Sequence, residues 1–152
     1  MLDCGLCGAS LGLSLHQLRS ISEISMINNG GMTEQLAGQL LRAVTPAYIP
    51  ASIYYWQREK KGAEAEIDYI IQHENHIIPI EVKAGATGTL KSLHQFMKEK
   101  KKTTAIRINS DIPRLGPVSV KDTFGHSIEY NLLSIPFYLL EQIHRLIKSS
   151  EK

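Results

Sequence analysis

Apolar and polar positions change period twice along the chain. Between residues 11 and 27, leucines stand at 11, 13, 15 and 18 and isoleucines at 21, 24 and 27. The three-residue steps predict short helical pieces joined around Ser20 and Ser22. Asn28-Asn29-Gly30-Gly31 predicts a break. Met32, Leu36, Leu40, Leu41 and Val44 then recur at helical spacing, with Ala37 and Ala43 alongside. Pro46 should stop this amphipathic helix, because proline lacks an N–H and restricts the residue before it.

From Ile53 the period shortens. Ile53-Tyr54-Tyr55-Trp56 is β-branched and aromatic and predicts a strand, with at least two of the rings in the core of a central strand. A charged turn, Arg58-Glu59-Lys60-Lys61-Gly62, follows. Residues 65–71 alternate, placing Ile67, Tyr69 and Ile71 on one face and Glu66, Asp68 and Ile70 on the other. After a polar turn in which His73 and His76 should face water, Ile78, Ile80 and Val82 share a face and Glu81 and Lys83 the opposite one. The three strands should form an antiparallel meander.

Gly85 and Gly88 mark its exit, and Leu90, Leu93, Phe96 and Met97 predict a helix ending in Lys100-Lys101-Lys102. A strand over residues 104–108, a Pro/Gly-rich connection over 113–117 and a strand over 128–133 follow. Pro136 suits a first helical position with Ser134 as a nearby cap. Leu139, Leu140, Ile143, Leu146 and Ile147 trace the stripe of a closing helix. Helix, three strands, helix, strand is an α/β order, and the expected architecture is a mixed sheet flanked by helices on both sides.

One domain spanning residues 1–152 is the expectation from length, with 43% apolar and 21% charged residues, too apolar for disorder. The formal charge of +2 is too weak to signal a nucleic-acid or membrane binder by itself, so any such role rests on local placement. The apolar run over residues 132–140 is interrupted by Ser134 and Pro136 and falls well short of the ~20 residues of a membrane span. No basic segment leading into an apolar run follows Met1, so a cytoplasmic protein is expected. Cys4 and Cys7 form one C-x-x-C; a structural zinc site needs four ligands and there is no second pair, which favours reduced, partly buried thiols over a redox or metal role.

The chemistry concentrates where the strand pattern is broken. Glu81 and Lys83 leave one face of their strand, and pairing Ile71 with Ile78 would put Asp68 opposite Glu81, with Cβ atoms roughly 5 Å apart. Two carboxylates that close repel unless a proton or cation lies between them. Mg²⁺ (or Mn²⁺) would relieve the repulsion, taking one or two carboxylates and keeping several waters. Lys83 could then orient or deprotonate an attacking water, or stabilise charge on a phosphate. The alternative is a plain cross-strand Asp68–Lys83 pair on a solvated face, worth ~0–1 kcal/mol.

Ile67-Asp68 followed by Ile80-Glu81-Val82-Lys83 resembles the PD-(D/E)xK nuclease superfamily, with Ile67 where the signature has proline. Leu2-Asp3-Cys4-Gly5-Leu6, Gly31-Met32-Thr33-Glu34, Tyr54-Tyr55-Trp56, Ala65-Glu66-Ile67-Asp68, Ile78-Pro79-Ile80-Glu81-Val82-Lys83-Ala84-Gly85, Lys91-Ser92-Leu93 and Ala105-Ile106-Arg107 together resemble the C-terminal domain of unknown function of prokaryotic AAA-type ATPases. That resemblance implies a restriction-endonuclease-like fold, Asp68 and Glu81 as metal ligands, Lys83 as the catalytic lysine and Glu34 as an additional catalytic acid. Glu34 is equally a first-turn carboxylate that favours its helix dipole, and Gln95, similar to the helix glutamine of RecB-like nucleases, is equally an exposed helix position. It further implies an ATPase domain ahead of this one, making the chain a C-terminal fragment; no G-x-x-x-x-G-K-[ST] is present to hold a nucleotide.

Arg58, Lys60 and Lys61 could track DNA phosphates, as could the lysines after Phe96, although lysines there also offset a helix dipole. Arg107 could contact phosphate or pair with a carboxylate. The expected function is Mg-dependent hydrolysis of DNA coupled to an ATPase. The alternative is a non-catalytic module that binds DNA or a partner protein, with a homodimer among its possible assemblies.

Overall fold

The computed structural model describes residues 3–10, 29–59, 64–85 and 88–150. In chain order these form α1 (Cys4–Ser10), α2 (Asn29–Ala43), β1 (Tyr54–Arg58), β2 (Ala65–His73), β3 (His76–Val82), α3 (Lys91–Lys100), β4 (Thr104–Asn109), β5 (Arg114–Lys121), β6 (Ser127–Pro136), a 3-10 turn (Phe137–Gln142) and α4 (Ile143–Ser150). The helical pieces predicted over residues 11–27 lie outside the described residues. The strands make one mixed sheet in the order β1-β2-β3-β4-β6-β5, antiparallel through the β1-β2-β3 meander and at β5-β6, parallel at β3-β4 and β4-β6. Among the described residues no helix is long and apolar enough to cross a membrane.

Helices cover both faces, each over its own core. On one face Ala37 and Leu41 of α2 and Leu140, Ile143 and Ile147 near the C-terminus pack on Ile78, Ile80, Val82, Ile106, Ile108 and Ile135. On the other, Leu93, Phe96 and Met97 of α3 pack on Ile67, Ala105, Ile128 and Tyr130. β4 is therefore covered on both sides, Ala105 meeting one core and Ile106 and Ile108 the other.

Several expectations need correction. Gly30 and Gly31 lie within the first turn of α2, where a missing side chain costs little, so the predicted break is a helix start. Leu36 is exposed and Ala37 takes its place in the core. Residues 114–121 form a strand despite Gly116 and Pro117, because β5 is an edge where a missing N–H is tolerated. β1 is likewise an edge, not central: Tyr54 and Tyr55 are exposed, and only Trp56 turns inward, meeting Phe96 edge-on at 5.2 Å. Pro136 ends β6, and Ser134 is buried in the sheet and caps nothing.

His73 is also buried, its Nδ1 lying 2.9 Å from Nδ1 of His144 with the rings stacked. One ring must donate and the other accept, so the pair carries a single proton between those nitrogens. Burial, then the His73 neighbour, lowers the pKa of His144. A folded-state pKa below the unfolded value contributes stability that is full above ~6.5 and lost as pH falls through the folded value. Wild type should therefore lose melting temperature relative to His144→Gln as pH drops from 7.5 to 5; parallel melting curves for the two would refute this.

Candidate functional site

The site begins with an irregularity in β2. Tyr54 pairs with Ile70 but Trp56 with Ile67, so β2 carries one extra residue at Asp68-Tyr69 against two steps of β1. Such a bulge bends a strand and re-aims side chains. Its first consequence overturns the predicted alternation: Ile67 and Ile70 join the α3 core, while Tyr69 and Ile71 join the other.

The second consequence is chemical. The β2-β3 ladder pairs Ile71 with Ile78, as expected from sequence, but its last pair is Tyr69 with Ile80. Past that point the Asp68 side chain replaces the ladder, its Oδ2 accepting the Val82 N–H at 2.6 Å. Asp68 is thus fixed beside the segment that carries Glu81 and Lys83.

Glu81 sits between Ile80 and Val82, so it leaves the sheet on the side opposite their core. It is only 5% exposed. Its Oε1 accepts from Lys83 Nζ at 2.6 Å, and among the described residues its buried Oε2 has no hydrogen-bond partner. Burial raises the Glu81 pKa against the Lys83 hydrogen bond, and the negative charges of Asp68 and Glu34 add to the rise. Burial likewise raises Asp68 against the Val82 N–H.

Glu34 belongs to the same cluster. It stands on α2, tied to β2 by the Tyr69 hydroxyl, which donates to its backbone carbonyl at 2.8 Å. Burial raises its pKa first, then the charges of Asp68 and Glu66, with Lys83 opposing. Three carboxylates held above their ordinary range around one lysine are short of positive charge.

The residues present could accommodate a hard divalent cation in one way that the carboxylates allow. Among the described residues no three His, Cys, Asp or Glu side chains gather into a cage. An ion that keeps several waters needs only one or two carboxylates, and Glu81 Oε2 with Asp68 could supply them.

Two features here had no sequence signal beyond a loop mark or a pattern. Gly88 is one: a Cβ there would come within 2.8 Å of Lys83 Cδ and 3.1 Å of its Cγ, so the missing side chain is the space the lysine stem occupies. The other is a polar row. Across the sheet Glu81 is paired with Arg107, Arg107 with Ser134, and Ser134 with Arg114. Among the described residues Arg107 is ion-paired with no carboxylate: its Nε donates to Ser134 Oγ at 3.0 Å.

The remaining candidates lie apart from this cluster. Arg58 ends β1 and pairs with Glu99 at 3.0 Å, and Gln95 donates to the same carboxylate at 2.8 Å. Both line a groove of about 680 Å³ with Lys91, His94 and Asp122, whose lining includes none of Glu34, Asp68, Glu81 or Lys83. Lys98 is paired with Asp122. Lys60 and Lys61 lie outside the described residues. Cys4 and Cys7 are free thiols on α1, whose first turn is capped by Asp3 Oδ1 accepting from Gly5 and Leu6. Burial and then the Asp3 charge raise Cys4, opposite to what an activated redox thiol requires.

Residues 29–114 match a family model described as a domain of unknown function, DUF4143. The matched span runs from α2 to the start of β5 and contains Glu34, Asp68, Glu81, Lys83, Arg107 and Arg114. No curated protein and no solved structure matches the chain.

Proposed function

Taking as premise that the chain belongs to the DUF4143 family, we propose that it hydrolyses phosphodiester bonds in nucleic acid with a hard divalent cation. The observation that carries this is the buried Glu81 Oε2, left without a partner beside Asp68 while Lys83 occupies the other oxygen. Asp68 and Glu81 would hold Mg²⁺ or Mn²⁺, which when bound offsets phosphate charge and makes water more acidic.

The protein's own groups do the rest. Lys83 spends one N–H on Glu81 and has two more with which to orient the attacking water or steady a phosphate oxygen. Glu34, its carboxyl raised above the ordinary range by burial, would take a proton from that water. The motif resemblance to the C-terminal domain of AAA-type ATPases supports coupling to an ATPase domain elsewhere in the protein.

One observation favours a second reading. The Lys83–Glu81 pair neutralises the acid without any metal ion, as in a non-catalytic module that binds DNA or protein. Cleavage of labelled single- and double-stranded DNA in Mg²⁺ or Mn²⁺, with EDTA as control, separates the two. Metal-dependent cleavage is expected. No cleavage of either form, with no change in melting temperature on adding Mg²⁺, would leave the binding module.

Gly88→Ala tests the positioning of Lys83. The new methyl should push the lysine stem off Glu81 and lower cleavage about tenfold or more, since misplacement by ~1 Å can cost ~10²-fold. Melting should change little, because a flexible side chain can give way. An unchanged rate would show that Lys83 need not stay where it lies.

A further inference from the structure

We propose that the groove lined by Arg107 and Arg114 is a phosphate track that seats a nucleic-acid strand running toward the acid cluster. The inference rests on the phosphodiesterase reading above and names how that site would hold its substrate. Glu81, Arg107, Ser134 and Arg114 occupy one register row across β3, β4, β6 and β5. Paired residues on neighbouring strands leave the same face, and strands stand roughly 4.8 Å apart, so the row extends about 14 Å from the acid. It lies at the carboxyl ends of the parallel strands β3, β4 and β6, where open α/β sheets bind ligands.

At the far part of this row the sheet carries a groove of about 550 Å³, lined by Arg107, Arg114, Ser134, Gly116, Pro117 and Leu132 among others, with no carboxylate in its wall. That volume lies within the usual range of ligand sites. Among the described residues neither arginine is ion-paired.

What distinguishes Arg107 from an ordinary surface cation is its support. Ser134, 3% exposed, accepts the Arg107 Nε–H and donates to Oδ1 of Asn109, which is fully buried. Two buried polar side chains in a sheet interior thus orient a guanidinium that has no acid partner. A planar cation held this way matches a phosphate, which takes two parallel N–H bonds. Gly116 is part of the groove's wall, and a Cβ there would meet nothing within 4 Å, so a larger side chain would project into open space.

The test is anisotropy of a labelled single-stranded DNA in EDTA, so that binding is read without turnover, over a series of salt concentrations. Arg114→Gln and Arg107→Gln should each weaken binding about tenfold and make the salt dependence shallower by roughly 0.7 per arginine. Gly116→Val should weaken binding while leaving the salt slope unchanged. Lys121→Gln, on the same strand but the other face, should do nothing.

Wild-type affinity in both Arg114→Gln and Gly116→Val overturns the track even if Arg107→Gln does not fold. So does an equal loss in Lys121→Gln, which would mean diffuse attraction, or no binding by wild type. A parallel cleavage assay keeps the two ideas separate. Arginine-dependent binding without cleavage retains the track and removes the enzyme, whereas cleavage insensitive to both arginines does the reverse.

Discussion

Lys83→Ala should lower metal-dependent DNA cleavage by ~10²–10⁴-fold, the range for losing a positioned proton-transfer or charge-stabilising group. Among the described residues the lysine is the positive charge that acts on three acids whose carboxyls burial holds above their usual range. Removing it leaves both Glu81 oxygens buried without a hydrogen bond, so the variant should also melt lower. Lys83→Arg separates the effects: it restores the charge and much of the stability but not the geometry of a single ammonium.

Asp68→Asn should abolish cleavage to a similar degree with the opposite effect on folding. Its side-chain oxygen can still accept the Val82 N–H, while a buried charge disappears. Because the folded Asp68 pKa is raised, its ionisation costs stability as pH rises through that value. In EDTA at neutral pH Asp68→Asn should therefore melt above wild type, with the gap closing toward acid. A variant that melts lower at every pH, or cleaves at the wild-type rate, would remove Asp68 from the proposed machinery.

Ile106→Ala is the change expected to damage the fold most. Ile106 is fully buried on β4, between Ile80 of β3 and Leu133 of β6, under the helices of one face. Truncating such a side chain costs about 2–5 kcal/mol, because the cavity closes only in part. For a chain of this size that is on the order of 10 °C in melting temperature. Arg107, next on the same strand, would lose its fixed relation to Glu81 and Ser134, so nucleic-acid binding should weaken as well. Thermal unfolding followed by circular dichroism decides the first point; a drop of under 2 °C would mean the core repacks around the gap.

Much of this was open to reading along the chain, because side-chain alternation is a local property. The β2-β3 register followed from matching Ile71 to Ile78, and the Glu81-x-Lys83 spacing placed both groups on one face before any tertiary contact was known. The α2, α3 and closing helical segments followed from their apolar spacing, as did the mixed α/β class. Local chemistry misled where tertiary position overrides it. Gly116 and Pro117 look like loop residues but sit in an edge strand, and Tyr54 and Tyr55 look like core but lie on the opposite edge. The polar turn around His73 suggested solvent, but the histidine is buried against His144 from the far end of the chain.

The amino-acid order therefore determined the elements, their faces and the set of acidic and basic side chains available. Tertiary structure decided strand order, the bulge that aims Asp68 at the Val82 N–H, and the Arg107–Ser134–Asn109 chain drawn from separate strands. Each of those depends on contacts between distant segments, set by how the whole sheet buries its two faces.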